Sequence, residues 1–283
     1  MQWFLRYLEF IKFSHTVFAL PFALAAVVVA ARGWPGGRTM ALVLAAMVCA
    51  RTSAMAFNRI VDRKFDALNP RTRNRHLPTG SISLRGAWAL TVVSAALFVG
   101  SAWAINPLCG WLSPVALVVI WFYSLTKRFT DFSHLFLGLA LGLAPLGGWL
   151  AVTGRWEWPP IVLALAVVCW LTGFDIIYAT QDYEFDKSIG LHSLPVRWGI
   201  AGSLQFARWS HAMMTVLLAV FGWMAKMSWP YYLGLVGIAG CLALEHHLAR
   251  RRDPVSLNTA FFRMNAIVSV LFLAATVAGV WRA

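Results

Sequence analysis

Long runs of Ala, Val, Leu, Met, Phe and Trp, each about as long as a bilayer crossing, alternate along this chain with short polar connections. An α-helix needs about 20 apolar residues to cross the hydrocarbon core. About nine runs meet that need, near residues 11–31, 40–58, 86–106, 108–124, 133–153, 160–180, 206–225, 230–248 and 264–281. The pattern predicts an all-α integral membrane protein with about nine transmembrane helices. The first run, FIKFSHTVFALPFALAAVVVAAR, carries an internal proline and no small-residue cleavage site before a polar mature sequence. It therefore reads as the first span and not as a signal peptide.

Composition fits that reading. The 283 residues are 60% hydrophobic and 12% charged, with a mean hydropathy of +0.67, where soluble domains carry roughly 25% charged residues. A net charge of +13 raises the question of nucleic acid, and the placement of the charge answers it. Arg6, Lys12, the seven Lys and Arg from Arg59 to Arg85, Lys127, Arg128, Lys187, Arg197, Arg208 and the four from Arg250 to Arg263 fall on one side of the predicted topology. Arg32, Arg38, Arg155, Lys226 and Arg282 fall on the other. The positive-inside rule then puts the N-terminus in the cytoplasm and the C-terminus outside. The basicity is mainly topological and implies no nucleic-acid partner. Cys49, Cys109, Cys169 and Cys241 lie singly within apolar runs, without the spacing of a zinc or redox motif. Several of the 15 Trp are placed for an interfacial belt.

One connection differs from the rest. In NRIVDRKFDALNPRTRNRHLP, residues 58–78, the side chains of Asn58, Asp62 and Asp66 stand four apart, hence on one helix face, with Arg51 one heptad earlier on the same stripe. DIIYATQDYEFD predicts a second column of Asp175, Tyr178, Asp182 and Asp186 at the end of the sixth span. With Glu184, these are most of the chain's 11 acids. A carboxylate at the bilayer centre costs about 2.5 to 3.5 kcal/mol on insertion scales, less near an interface, so such groups face the bundle interior. Two facing columns of oxygen ligands suit Mg²⁺, which binds a few carboxylates and completes its octahedron with water and phosphate oxygens. Arg71, Arg73, Arg75, Lys127 and Arg128 suit the phosphates. Acids alone would indicate a cation path; acids with arginines indicate a metal-bridged diphosphate. Blander readings apply to each element alone: surface salt bridges for the acids, a topogenic or lipid-headgroup role for the basic loop, interfacial packing for His15 and His134, and an exposed helix end for the EHH at 245–247.

The chain also repeats itself. KFSH at 12–15 matches DFSH at 131–134, Asp62 and Asp66 recur 120 positions later as Asp182 and Asp186, and both acidic stretches run on into Leu-Pro. An even number of spans separates the copies, so they are parallel repeats with both acidic loops on the cytoplasmic side. The expectation is a single transmembrane domain over 1–283 with repeat halves at about 5–125 and 126–248.

Taken in order, NRIVDRKFD, NPRTRNRHLPTG, YSLTKR and DIIYATQDYEFDKSIGLHSLP resemble the UbiA superfamily of intramembrane prenyltransferases over about residues 5–280, and within it the bacterial 4-hydroxybenzoate polyprenyltransferases and their quinone-pathway relatives. The resemblance implies helices around a central cavity, with cytoplasmic caps over its mouth and a lateral opening to lipid. It assigns Asn58, Asp62, Asp66, Asp182 and Asp186 to Mg²⁺ and the diphosphate of a polyprenyl donor. It assigns Tyr123, Lys127 and Arg128 to a diphosphate-contacting pattern, and Asp175 and Tyr178 to a DxxY element near the acceptor, with Asp175 a candidate base. Arg59 departs from the pattern, because many members carry an acid there. The implied activity is Mg²⁺-assisted transfer of a polyprenyl group to a ring carbon of an aromatic acid resembling 4-hydroxybenzoate, for ubiquinone or menaquinone synthesis. 1,4-Dihydroxy-6-naphthoate or another quinone precursor is the alternative acceptor. The implied location is the inner membrane, multi-pass, with the site towards the cytoplasm. Two other classes compete: a secondary transporter, which would place its acids near the midplane at broken helices, and a nonenzymatic lipid-binding subunit, which has no need of two acidic pairs.

Overall fold

The structure is a computed structural model that describes residues 2–12, 16–251 and 253–281. Phe13, Ser14 and His15 of the KFSH segment, and Arg282, lie outside the described residues. In chain order the helices are α1 (Gln2–Phe10), α2 (Thr16–Ala31), α3 (Gly37–Leu68), α4 (Leu84–Ile105), α5 (Pro107–Phe122), α6 (Ser133–Thr153), α7 (Trp158–Ala179), α8 (Tyr183–Ser188), α9 (Leu194–Met224), α10 (Trp229–Ala249), α11 (Pro254–Asn258) and α12 (Asn265–Trp281). Tight 3₁₀ turns cover Tyr123–Arg128 and Thr180–Asp182, and a π-helical stretch covers Thr259–Met264. Seven helices or merged runs are long and apolar enough to cross a membrane: Gly37–Leu68, Leu84–Ile105, Pro107–Arg128, Ser133–Thr153, Trp158–Ser188, Trp229–Ala249 and Val255–Trp281. The other two expected spans are helical but fall short of that measure. α2 has only 16 residues, and α9 carries Arg197, Gln205, Arg208 and His211 among its apolar positions.

The helices gather into two compact units, Met1–Thr16 with Gly37–Leu125, and Val17–Gly36 with Thr126–Ala283. In the first, α4 packs against both α3 and α5. Ser83 begins α4 by accepting a hydrogen bond from the Gly86 amide at 3.1 Å. Asn106 does the same for α5 through the Cys109 amide at 2.9 Å, with Pro107 in the first turn, where its missing N–H costs nothing. The Ser53 hydroxyl donates to the Thr91 carbonyl at 3.0 Å and accepts from Trp121 Nε1 at 3.1 Å, joining α3, α4 and α5. Phe10 and Ile11, at the end of α1, are buried against Ala56, Leu77, Ile82 and Ala87.

In the second unit α7 lies between α6 and α9, and α10 packs on α12. α6 is a helix of close approach. A β-carbon added at Gly138 would lie 2.8 Å from the Val168 carbonyl oxygen of α7, and one at Gly148 would lie 2.7 Å from the Ala23 carbonyl oxygen of α2. Small residues bring backbones together where lipid supplies no hydrophobic drive between helices. Phe22 of α2 then stacks on Phe272 at 4.5 Å and reaches Trp170 at 4.7 Å.

A buried polar network ties four of these helices. Trp170 Nε1 donates to Asn265 Oδ1 at 2.7 Å, Asn265 Nδ2 donates to Glu245 Oε1 at 2.8 Å, and His211 lies 3.0 Å from His246 and 3.1 Å from the Trp170 carbonyl. Glu245 is fully buried and His246 half-buried, so of the EHH segment only His247 is an exposed helix end. An isolated pattern of three polar residues near a helix terminus does not reveal partners that come from α7, α9 and α12. Exposed Trp34, Trp103, Trp111, Trp156, Trp158, Trp223, Trp229 and Trp281 lie at the α2–α3, α4–α5, α6–α7 and α9–α10 connections and at the end of α12, whereas the acidic motifs lie at the other ends of their helices.

Candidate active site

In the first unit the acid column stands on the last turns of α3. Asn58 Nδ2 donates to Asp62 Oδ2 at 2.9 Å, which ties the first two members one turn apart. Asp66 is buried at the end of the helix. The chain then folds back over it. Asn69 Oδ1 accepts from the Arg71 amide at 2.8 Å, the Thr72 hydroxyl donates to the Asp66 carbonyl at 3.1 Å, and Arg75 Nη1 donates to Asp66 Oδ1 at 2.6 Å. Asp66 Oδ2 is buried and has no hydrogen-bond partner among the described residues. Arg71 and Arg73 are exposed. Arg51, one heptad before Asn58, donates to the Lys12 carbonyl at 3.2 Å, and its Nε is buried with no hydrogen-bond partner among the described residues. Arg59 points elsewhere, buried beside the end of α1 with its Nε 3.5 Å from the Phe10 carbonyl. From there its charge still acts on Asp62 and Asp66 of the column. Tyr123 is half-buried in the 3₁₀ turn after α5.

In the second unit the helical run that carries Asp175, Tyr178, Asp182 and Asp186 changes its winding part-way. α7 ends at Ala179, the 3₁₀ turn Thr180–Asp182 winds more tightly, and α8 resumes at Tyr183. With about three residues per turn in place of 3.6, the turn rotates Asp182 off the stripe that a continuous helix would give it. Asp182 and Asp186 are both buried. Asp186 Oδ2 makes no hydrogen bond among the described residues, and Lys127 Nζ stands 3.6 Å from it. The Lys127 carbonyl accepts from the His192 amide at 3.0 Å, which fixes the Lys-Arg pair against the chain that follows α8. Arg128, next to it, is exposed. Asp131 anchors the same region, accepting from Arg197 at 2.8 Å and lying 3.0 Å from His192. Burial pushes the Asp131 carboxyl up, and the bonds from Arg197 and His192 outweigh it, holding the group below the ordinary carboxylate range.

Asp175 and Tyr178 sit on the last turns of α7. The Tyr178 ring stacks on Phe261, with centroids 4.1 Å apart, and Phe261 belongs to the π-helical stretch before α12. Asp175 Oδ2 lies 2.7 Å from His134 Nδ1, and His134 is fully buried. His134 is thus not an interfacial packing residue. A signal for this was present in the chain: Gly138 and Gly142 follow His134 at one- and two-turn spacing, so the histidine shares the stripe on which α6 closes against α7. Phe261 had no such signal, because a π-helical turn changes the spacing that sequence periodicity reads.

Each acidic motif thus ends in a buried aspartate that keeps one oxygen without a hydrogen bond among the described residues and has a basic side chain beside it. A buried carboxylate oxygen in that condition is unfavourable unless a cation or donor completes it. Among the described residues no group of three or more His, Cys, Asp or Glu is gathered as a metal cage.

Comparison with known proteins places the whole chain. Residues 19–267 match the UbiA prenyltransferase family. The 4-hydroxybenzoate octaprenyltransferase of Methylobacillus flagellatus is 31% identical over 245 residues, which cover 86% of this chain and 82% of that one. A UbiA homolog from Aeropyrum pernix K1, solved in apo form, superposes with a TM-score of 0.85 at 31% identity over 93% of this chain and 96% of its own. A UbiA homolog from Archaeoglobus fulgidus, solved bound to DMAPP and Mg²⁺, shares the fold with a TM-score of 0.73 at 24% identity, covering 98% of this chain and 99% of that one. A family match running from α2 into α12, with seven helical runs long and apolar enough to cross a membrane, makes this chain a multi-pass membrane member of the UbiA prenyltransferase family.

Proposed function

We propose that this protein is an Mg²⁺-dependent aromatic prenyltransferase that moves a polyprenyl group from its diphosphate to a ring carbon of 4-hydroxybenzoate, on the route to ubiquinone. The observation that carries the reading is the pair of buried aspartate oxygens, on Asp66 and Asp186, that lack hydrogen bonds beside Arg75 and Lys127. The kinship with 4-hydroxybenzoate octaprenyltransferases supports the acceptor, and the Archaeoglobus homolog bound to DMAPP and Mg²⁺ supports the donor class and the metal.

Asn58, Asp62, Asp66, Asp182 and Asp186 are the groups that would hold Mg²⁺, which when bound neutralises part of the diphosphate charge. Arg71, Arg75, Lys127 and Arg128 would pair with diphosphate oxygens as the allylic carbon–oxygen bond breaks and negative charge builds on them. Tyr123, which heads the Lys-Arg pattern, belongs with them. The stacked rings of Tyr178 and Phe261 offer an aromatic wall that shields the allylic fragment from water and attracts its positive charge. The ring carbon of the phenol then bonds to that fragment, and the proton displaced from the ring passes to Asp175. Arg51, on the stripe of the first column, is the cation that would match the acceptor's carboxylate, since an unmatched anion near hydrocarbon is costly. The site faces the cytoplasm across the inner membrane, on the side the positive-inside count assigns to both acidic connections. Purified protein supplied with Mg²⁺, a labelled prenyl diphosphate and 4-hydroxybenzoate should form C-prenylated hydroxybenzoate. Absence of that product, or formation only with a dihydroxynaphthoate, would reject the assigned acceptor.

A further inference from the structure

The strongest unassigned feature is His134, brought to Asp175 by a close approach of α6 to α7. One turn after His134, Gly138 lets α6 approach the α7 backbone so closely that an added β-carbon would lie 2.8 Å from the Val168 carbonyl oxygen and 3.2 Å from Thr172 Oγ1. One turn further, a β-carbon at Gly142 would lie 3.1 Å from the Ala164 carbonyl oxygen. The two backbones are therefore held close along the whole stripe that ends at His134 and Asp175. There the imidazole is fully buried, while the Asp175 side chain keeps 22% of its surface exposed.

We propose that His134 is a positioning residue that fixes Asp175 for the acceptor, a role that rests on the aromatic prenyl transfer proposed above. His134 Nε2 is buried with no hydrogen-bond partner among the described residues, and an imidazole nitrogen in that state is less unfavourable as a bare lone pair than as an unmet N–H. The proton then sits on Nδ1, which donates to Asp175 Oδ2 at 2.7 Å. This bond takes one carboxylate oxygen and sets the rotamer, so that Oδ1, which makes no hydrogen bond among the described residues, is the oxygen offered to the acceptor. A phenol O–H donating to Oδ1 orients the ring, and when the ring carbon has bonded to the prenyl fragment, its C–H electrons return to the ring and the proton goes to Oδ1. The arrangement selects acceptors that carry a phenolic donor. The other charged groups of the neighbourhood are Asp186 on α8, which interacts electrostatically with His134, and Lys127, paired with Asp186 at 3.6 Å.

Two measurements test this. In the prenylation assay, His134→Ala should lower kcat about 10- to 100-fold, part of what a positioned base contributes, with the KM for prenyl diphosphate unchanged. His134→Asn, whose side-chain amide donates from nearly the position of Nδ1, should recover most of the loss. In an Asp175→Asn background, His134→Ala should cost little more, because the two residues act as one unit. Full activity of His134→Ala, no recovery by His134→Asn, or independent losses in the double variant would overturn the proposal. The second measurement needs no turnover: nitrogen NMR of histidine-labelled protein, with the His134 signal identified by its loss in His134→Asn, should show Nδ1 protonated and Nε2 bare. The reverse tautomer overturns the positioning role even if the enzyme is active. The expected tautomer in a protein that fails to prenylate any phenolic acid upholds the hydrogen bond and rejects the assigned reaction instead.

Discussion

Arg75 Nη1 lies 2.6 Å from Asp66 Oδ1, nine residues back along the chain, and this contact folds the basic connection onto the end of the acid column. An arginine and a buried carboxylate in this geometry form a charge-assisted pair that is costly to break from one side only. Asp66→Ala and Asp186→Ala should each lower prenyl transfer on the order of a hundred- to thousandfold, about 3 to 4 kcal/mol of lost leaving-group stabilisation, while the protein elutes and melts as a folded species. Arg75→Ala should be destabilised as well as slow, because it strands the Asp66 carboxylate. Steady-state kinetics with melting curves separates the two behaviours; unchanged turnover in Asp66→Ala would remove it from the site.

Metal removal gives an independent reading. Transfer should stop in EDTA and return when Mg²⁺ is restored in excess. Full activity in the chelator would sink the assignment of Asn58, Asp62, Asp66, Asp182 and Asp186 to Mg²⁺.

The acceptor carboxylate should matter through Arg51. Phenol, which lacks that charge, is expected to be a much poorer acceptor than 4-hydroxybenzoate at matched concentrations, and Arg51→Ala should raise the KM for 4-hydroxybenzoate far more than that for the prenyl diphosphate. Equal turnover of phenol and 4-hydroxybenzoate would point to a neutral or lipid acceptor.

Asp131 gives a pH dependence. Its pKa is lower folded than unfolded, because the Arg197 and His192 bonds overcome the effect of burial. Its contribution is therefore fully present above the unfolded value of about 3.9 and is lost as pH falls through the folded value. Asp131→Asn should melt below the parent at pH 7, and the gap should begin to narrow as pH falls below about 4 and close below the folded value. A gap that persists undiminished at pH 3 would show that the clamp does not act through charge.

Topology can be checked at the surface of the basic connection. Arg73 is exposed, whereas Thr72 beside it is 3% exposed, so a reporter cysteine belongs at 73. In a background without the four native cysteines, Arg73→Cys should react with a membrane-impermeant thiol reagent only from the cytoplasmic side. Labelling from the periplasmic side alone would invert the orientation.

What the chain discloses depends on the range over which its signals act. Apolar runs and four-residue spacing are local, so the helices and the first column, Asn58 with Asp62 and Asp66, could be read directly. The winding of the second column is less legible: three residues, Thr180–Asp182, change from 3.6 to about three residues per turn, and one residue pattern permits either winding. Glu245 and His134 were read as peripheral because their partners are distant: Asn265 lies 20 residues from Glu245, and Asp175 lies 41 residues from His134. A buried polar group announces itself only through the partner that satisfies it, and single-sequence periodicity carries no record of that partner.

The packing of α2 on α6, α7 and α12 sets a clock on the ribosome. Phe22 leaves the exit tunnel early, yet its stacking partner Phe272 is still unmade, and at about 5 to 20 residues per second the intervening stretch takes roughly 12 to 50 s to synthesise. α6 and α7 can close on α2 partway through that interval, but until its end the face that Phe22 turns to α12 must rest against lipid, a chaperone or the insertion machinery. Biogenesis of the second unit is thus governed by its earliest helix waiting for its last.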